Sequence, residues 1–157
     1  MKIIVECVPD TILMKCLGVL SRRIHHAGSK GRVIKNVERG LGTGIIDEDP
    51  GYTQPKILSK YSLLESDERL GLKVLSRGDK KLIVISPHLE EFILSACMES
   101  NIDPTKFGLP KDPYYLHRVI NSKPMNFKKL LNELLKLRNT RLIRLRSIIQ
   151  KQIQGKP

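Results

Sequence analysis

Short aliphatic runs rich in β-branched residues alternate along the chain with stretches of helical period, and this alternation constrains the fold more than any other feature. Residues 2–6 (KIIVE) have the composition of a buried strand, and residues 32–37 (RVIKNV) that of a second. The Gly-rich ERGLGTG leads into Ile45-Ile46, a third and very short strand. Between the first two, DTILMKCLGVLSRRIHHAG carries apolar residues at 12, 13, 16, 17, 20 and 24, which predicts one helix with Asp10 as N-cap and Gly28 as its stop. Residues 72–86 (LKVLSRGDKKLIVIS) form two strand-like arms around Gly78-Asp79, a hairpin turn. Residues 87–100 open on Pro87 and two acids and place Leu89, Phe92, Ile93, Ala96 and Cys97 at helical spacing. Residues 50–70 are the least legible, with PKILSKYSLLES read as a short helix. Strands interleaved with helices predict an α/β fold: a mainly parallel sheet flanked by helices, with an antiparallel edge hairpin.

A boundary falls near residue 103, dividing an α/β domain over residues 1–103 from a helical extension over residues 104–157. Three prolines (104, 110 and 113) punctuate the start of the extension, and a short helix, YYLHRVINS, follows. Residues 126–153 predict one long helix or two abutting ones, with Leu131, Leu134, Leu135, Leu142, Leu145, Ile148 and Ile149 on the apolar face. Residues 111–157 carry 12 Lys and Arg against Asp112 and Glu133, so +10 of the net charge of +12 sits in this part. Such a block faces a polyanion or an acidic partner. No apolar run approaches the ~20 residues of a membrane span, and the apolar start is too brief for a secretory signal. Three scattered cysteines without a C-x-x-C fit a reducing compartment. The expectation is a cytoplasmic protein with no membrane partner.

Against this basic background, residues 44–51 read GIIDEDPG. In an extended segment Asp47 and Asp49 share a face while Glu48 points away. In open α/β sheets, sites form beyond the carboxyl ends of the strands. Glu6 ends the first strand, Asp47 to Asp49 end the third, and Glu90 and Glu91 begin the helix after the last. Carboxylates brought so close repel by about 4 kcal/mol at an effective dielectric near 20, unless a proton or cation lies between them. Mg²⁺ or Mn²⁺, hard ions with oxygen ligands, suit such a set. A solvated acidic loop is the competing reading.

Three motifs in this order resemble a known family. Glu6 with Asp10 four residues later resembles the E-G-x-x-D opening of the Toprim domain, with Cys7 where the pattern has Gly. IIDEDPG resembles that domain's apolar strand followed by D-x-D, and SPHLEEFI resembles the P-x-x-E helix start of small Toprim-like proteins related to the overcoming-lysogenisation-defect nucleases. The resemblance covers residues 1 to about 100. It implies a four-stranded parallel sheet whose acidic rim binds one or two Mg²⁺ or Mn²⁺ ions for phosphoryl transfer on nucleic acid. On this pattern Glu6 is the general acid/base or a metal ligand, Asp47 and Asp49 are catalytic metal ligands, and Glu90 is a candidate ligand for a second ion. Asp10 either ligates through water or caps the first helix. Whether Glu90 or Glu91 faces the rim depends on one residue of helix phase.

Outside this set, His25-His26 suit the end of a helix, His88 sits beside Glu90, and Ser29-Lys30-Gly31-Arg32 offers cations for a phosphate. In the tail, Lys128, Lys129, Lys136, Arg138, Arg141, Arg144 and Arg146 are the candidate nucleic-acid contacts. The only aromatics near it are Phe127 and Tyr114-Tyr115, which favours recognition of the backbone over reading of bases. The expected function is a Mg²⁺-dependent nuclease. The alternative is a non-catalytic binding module whose Leu/Arg-rich C-terminal helix docks a partner protein.

Overall fold

The structure, a computed structural model, describes residues 1–155. Lys156 and Pro157, the end of the expected extension, lie outside the described residues. Four strands run parallel: β1 (Lys2–Val5), β2 (Ile24–His26), β3 (Gly42–Asp47) and β6 (Lys80–Ile85). With β4 (Ser62–Asp67) and β5 (Leu72–Arg77) antiparallel at one side, they form a six-stranded sheet in the order β2-β1-β3-β6-β5-β4. The chain is thus an α/β protein with a mostly parallel sheet and an antiparallel edge pair.

The central strands are apolar at successive positions because both faces are covered. Ile3, Val5, Ile45, Ile83 and Ile85 point to one face, while Ile4, Ile46, Leu82 and Val84 point to the other. The first face receives α1 (Val8–Cys16), α3 (Leu89–Glu99), α4 (Pro113–Ile120), α5 (Pro124–Lys136) and α6 (Thr140–Gln154). The second receives α2 (Lys30–Glu38) through Val33, Ile34 and Val37. Each fully buried aliphatic side chain contributes roughly 1.5–3 kcal/mol, so these two clusters fix the register of the sheet. Gly44 marks the closest approach: a Cβ there would stand 2.7 Å from both Leu82 and Val33.

Several local expectations are corrected. Residues 32–37 form α2 rather than a strand: Val33, Ile34 and Val37 make one helical face, and Ser29 caps it by accepting from the Arg32 N–H at 3.3 Å. The first helix does not reach Gly28. It stops at Cys16 because Gly18, with φ +91°, closes a Schellman turn in which Val19 N–H donates to Met14 O and Gly18 N–H to Lys15 O. His25 and His26 therefore lie on β2 and end no helix. PKILSKYSLLES gives only a 3₁₀ turn, Lys56–Lys60, before β4. The N-cap of α1 is Cys7, and Asp10 occupies the third helical position. The hairpin β5–β6 does turn on Gly78-Asp79, with Arg77 opposite Lys80.

Of the two forms open for residues 126–153, the structure takes two helices. Arg138, with φ +55°, ends α5, and Asn139 starts α6 by accepting from the N–H groups of Arg141 and Leu142. The same buried Asn139 donates to Ala96 O at 3.0 Å and Ser100 Oγ at 2.9 Å, tying α6 to α3. Phe127, Leu131, Leu134, Leu142, Leu145, Ile148 and Ile149 are buried in one cluster with Ile3, Val5 and Phe92. The shift in charge near residue 103 is therefore a shift in surface composition, and the core runs continuously across it. Among the described residues, no helix is long and apolar enough to cross a membrane.

Candidate active site at the carboxyl edge of the sheet

Because β1, β3 and β6 are parallel, their carboxyl ends open on one edge. Glu6 follows β1, Asp47 ends β3, and β6 leads through Ser86-Pro87-His88 into α3. The edge is held by Glu48 N–H donating to Ile85 O at 2.8 Å and Asp49 N–H to Pro87 O at 3.1 Å. Glu6 accepts from the backbone N–H of Asp47 at 3.4 Å, linking the first two acids across 41 residues of sequence. The Asp47 carboxylate in turn accepts from the Leu89 N–H at the start of α3.

Five carboxyls, those of Glu6, Asp10, Asp47, Asp49 and Glu90, act on one another here. Burial pushes Glu6 up to about 7, with Asp10 and Asp49 adding repulsion. Burial pushes Asp47 up to about 8, with Asp10, Glu6 and Glu90 adding to it. Burial also raises Asp10, and Glu90 contributes. Asp10 accepts from both the backbone N–H and the thiol of Cys7, at 3.1 and 3.2 Å, so it ties down the first turn of α1 while facing the other acids. Cys7 itself has an extended backbone (φ −136°, ψ 177°) that needs no glycine, and burial followed by Asp10 pushes its thiol pKa up. Of the two candidates on α3, Glu90 is the buried one and Glu91 lies further out, paired with His88.

Asp49 takes a different orientation from that of an extended strand. β3 ends at Asp47, and Asp49 sits in the left-handed region at φ +52°, so the alternation expected to align the two side chains stops between them. Asp49 instead pairs with Lys30 Nζ at 3.2 Å and His88 Nε2 at 3.3 Å. Glu48 points away, to Ser86 Oγ and, at 3.2 Å, to Lys73 Nζ. Glu90 faces the Nδ1 of His117 at 2.7 Å. Glu6 and Asp47 have no ion-pair partner among the described residues. As placed, no three His, Cys, Asp or Glu side chains among the described residues enclose a position for a metal ion. The donor set nevertheless suits a hard divalent cation: it is all carboxylate oxygen, and its two least compensated members are repelled by their neighbours.

No family model, curated protein or solved structure matches this chain. The site must be judged on its own chemistry.

The tail divides into two kinds of cation. Arg141 is bonded to Glu99 Oε1 at 2.8 Å and to Arg69 O at 3.1 Å, and it lies over the Phe92 ring. Arg144 pairs with Glu65 and Asp67 on β4, and Arg146 is half-buried with its Nε atom unpartnered. Lys128, Lys129, Lys136 and Arg138 remain exposed. The cationic stripe thus anchors α6 at two of its members, Arg141 to α3 and the turn between β4 and β5 and Arg144 to β4, and only part of it is open to a polyanion. The apolar face of α6 is buried against the core.

Three residues gain importance that sequence reasoning gave them weakly or not at all. Lys30, on the first turn of α2, reaches Glu48 O at 3.1 Å as well as Asp49; its motif was visible, but only with α2 recognised as a helix does it face the rim. His117 is brought to Glu90 by the packing of α4, a long-range effect without local signal. Tyr52 follows Pro50-Gly51 and is 73% exposed. A lone aromatic after Pro50-Gly51, next to the acidic run, was the available sign. Phe127, by contrast, is fully buried and free for no stacking role.

Proposed function

We propose that the protein is a Mg²⁺- or Mn²⁺-dependent phosphodiesterase acting on nucleic acid, a nuclease of Toprim-like type. The observation that carries this reading is the pair Glu6 and Asp47. They come from different strands, lie half-buried at one edge without cationic partners, and hold their protons to about pH 7 and 8. Such groups either retain a proton at neutral pH or give it up to a divalent cation. A sheet with four parallel strands, of which β1 runs into Glu6 and β3 ends at Asp47, supports this reading.

Asp47 and Glu6 would hold the cation, and Asp49 or Glu90 would join them on leaving its present partners, Lys30 and His88 for Asp49 or His117 for Glu90. A cation there would supply charge neutralisation for the phosphate and a more acidic bound water. The Glu6 oxygen that the cation would leave free is placed to take a proton from the attacking water and to return one to the departing oxygen. Asp10 holds the first turn of α1 in place and adds the repulsion that keeps Glu6 and Asp47 basic. Lys30, beside Asp49, puts a positive charge at the rim for a phosphate oxygen. The exposed Lys128, Lys129, Lys136 and Arg138 are candidate contacts to the rest of the polyanion.

The test is cleavage of labelled DNA and RNA in Mg²⁺ and in Mn²⁺. Asp47→Ala and Glu6→Gln are expected to lose at least about 100-fold in rate with the fold retained, in line with the loss of a catalytic electrostatic contact. Wild-type rates in both variants end this reading.

A further inference from the structure

Beside the acidic rim lies an open cleft of about 670 Å³, bounded by Asp49, Tyr52, His88, Glu90, Tyr114 and His117. Its inner end belongs to the rim, since Asp49 and Glu90 border both. Its outer part is bordered by two tyrosines from distant segments: Tyr52 from the loop after β3 and Tyr114 from the first turn of α4. The chain has seven aromatic residues, four Tyr and three Phe. Phe92 and Phe127 are core residues and Phe107 packs against the core, whereas Tyr52 is 73% and Tyr114 64% exposed. Exposing large rings costs contact area that the core could have used; Tyr115, 58% exposed, lies beside Tyr114, and Tyr52 and Tyr114 border the same hollow.

Neither ring hangs on a loose segment. Gln54 Nε2 donates to the carbonyls of Glu48, Asp49 and Tyr52 at 3.0–3.2 Å, and Tyr52 N–H donates to Asp49 O. Tyr114 has the Arg118 guanidinium 5.7 Å from its ring centre, and Tyr115 meets it edge-on at 5.4 Å. The cleft carboxylates are already engaged: Asp49 with Lys30 and His88, Glu91 with His88, Glu90 with His117, and Asp112 with the Tyr115 N–H. What remains for a ligand is flat aromatic surface with polar edges, next to the place where a phosphate would react. A base inside a duplex has both faces covered by its neighbours, whereas an unpaired base offers a face to stack. The volume suits a small-molecule-sized occupant and not a helix.

We propose that this cleft seats an unpaired nucleotide of the substrate strand, with Tyr52 and Tyr114 as stacking surfaces, so that the enzyme acts on single-stranded nucleic acid. The inference rests on the phosphodiesterase reading and narrows its substrate class. It also departs from the expectation that the backbone is recognised in preference to bases, which weighed Tyr114 as an aromatic near the basic tail and left Tyr52 out.

The experiment uses the full chain and a short oligonucleotide, made as DNA and as RNA, containing 2-aminopurine, alone and annealed to its complement. Binding is followed by anisotropy in Ca²⁺ and stacking by 2-aminopurine quenching. The single strand is expected to bind about 10-fold or more tighter than the duplex and to be quenched. Tyr52→Ala and Tyr114→Ala should each weaken single-strand binding about 10-fold and remove quenching, leaving duplex binding unchanged, while Tyr→Phe restores both. Both rings are exposed, so thermal melts should match the wild type. Equal affinity for the two forms, no measurable binding to either, or Ala variants that bind and quench like the wild type would overturn the proposal. Asp47→Ala separates the two levels. If it abolishes cleavage while the Tyr variants behave as wild type, only the single-strand inference fails; if it cleaves normally, the phosphodiesterase reading fails.

Discussion

Glu6 and Asp47 weaken the metal-free fold whenever they ionise. Their ordinary values are 4.5 and 3.8, and in the folded chain they stand at about 7 and 8. The folded state therefore binds more protons than the unfolded chain between about pH 4 and 8. Stability from these groups is complete below their ordinary values and is lost as pH rises through 7 and 8. Metal-free protein should accordingly melt at lower temperature at pH 8.5 than at pH 5.5, with a loss on the order of 5 kcal/mol at about 1.4 kcal/mol per titrated unit. Asp47→Asn should flatten this slope. Melting curves across pH in EDTA check both; a wild-type Tm independent of pH would contradict the burial of these carboxyls. Asn139 is a second residue whose worth can be predicted. It makes four hydrogen bonds at the α5–α6 junction, and Asn139→Ala leaves the first N–H groups of α6 without their acceptor and removes the ties to Ser100 Oγ and to Ala96 O, which keeps only the Ser100 N–H. The expected cost is about 2–4 kcal/mol in denaturant unfolding.

Helix ends decide what the elements look like here, and they also decided which elements could be read from the sequence. The β5–β6 hairpin and α3 were legible because their signals are local: Gly78-Asp79 between two apolar arms, and Pro87 with two acids before a helical period. The segment over residues 32–37 was misread because Val33, Ile34 and Val37 are β-branched, and packing against β3 outweighs a propensity difference of a few tenths of a kcal/mol per residue. Ser29 three residues before Arg32 was the overlooked cap. The first helix was read too long because Leu20 and Ile24 continue the apolar period past Gly18, whose Schellman turn has no signal in that period. Of the site, Glu6 and Asp47 could be found from strand ends. The orientation of Asp49 could not, because a residue in the left-handed region breaks the alternation on which the reading relied. Arg138 occupies the same region without the freedom of glycine. Arg138→Gly should stabilise the α5–α6 turn by about 0.5–1 kcal/mol, raising the denaturant midpoint at unchanged slope; a lower midpoint would mean that the Arg138 side chain contributes a contact of its own.

The whole molecule joins a site carried by its first half to a wall carried by its second. α5 and α6 cover the sheet face that α1 and α3 leave open, and α4 brings Tyr114 and His117 to the rim. Residues 1–103 alone would expose Phe92, Ile93 and the sheet residues beneath α6, so that fragment should lack a cooperative melt and bind hydrophobic dyes; a sharp two-state transition would show that the helices are a true appendage. The central claim is narrower: carboxyls from separate strands meet at one edge and exchange their protons for a divalent cation. Anomalous diffraction from crystals soaked in Mn²⁺ near pH 8 tests it most directly. A manganese peak bonded to both Glu6 and Asp47, with Asp49 or Glu90 completing its protein ligands, is the predicted result. Absence of a peak at these two residues at saturating Mn²⁺, or manganese bound only elsewhere, would contradict the account.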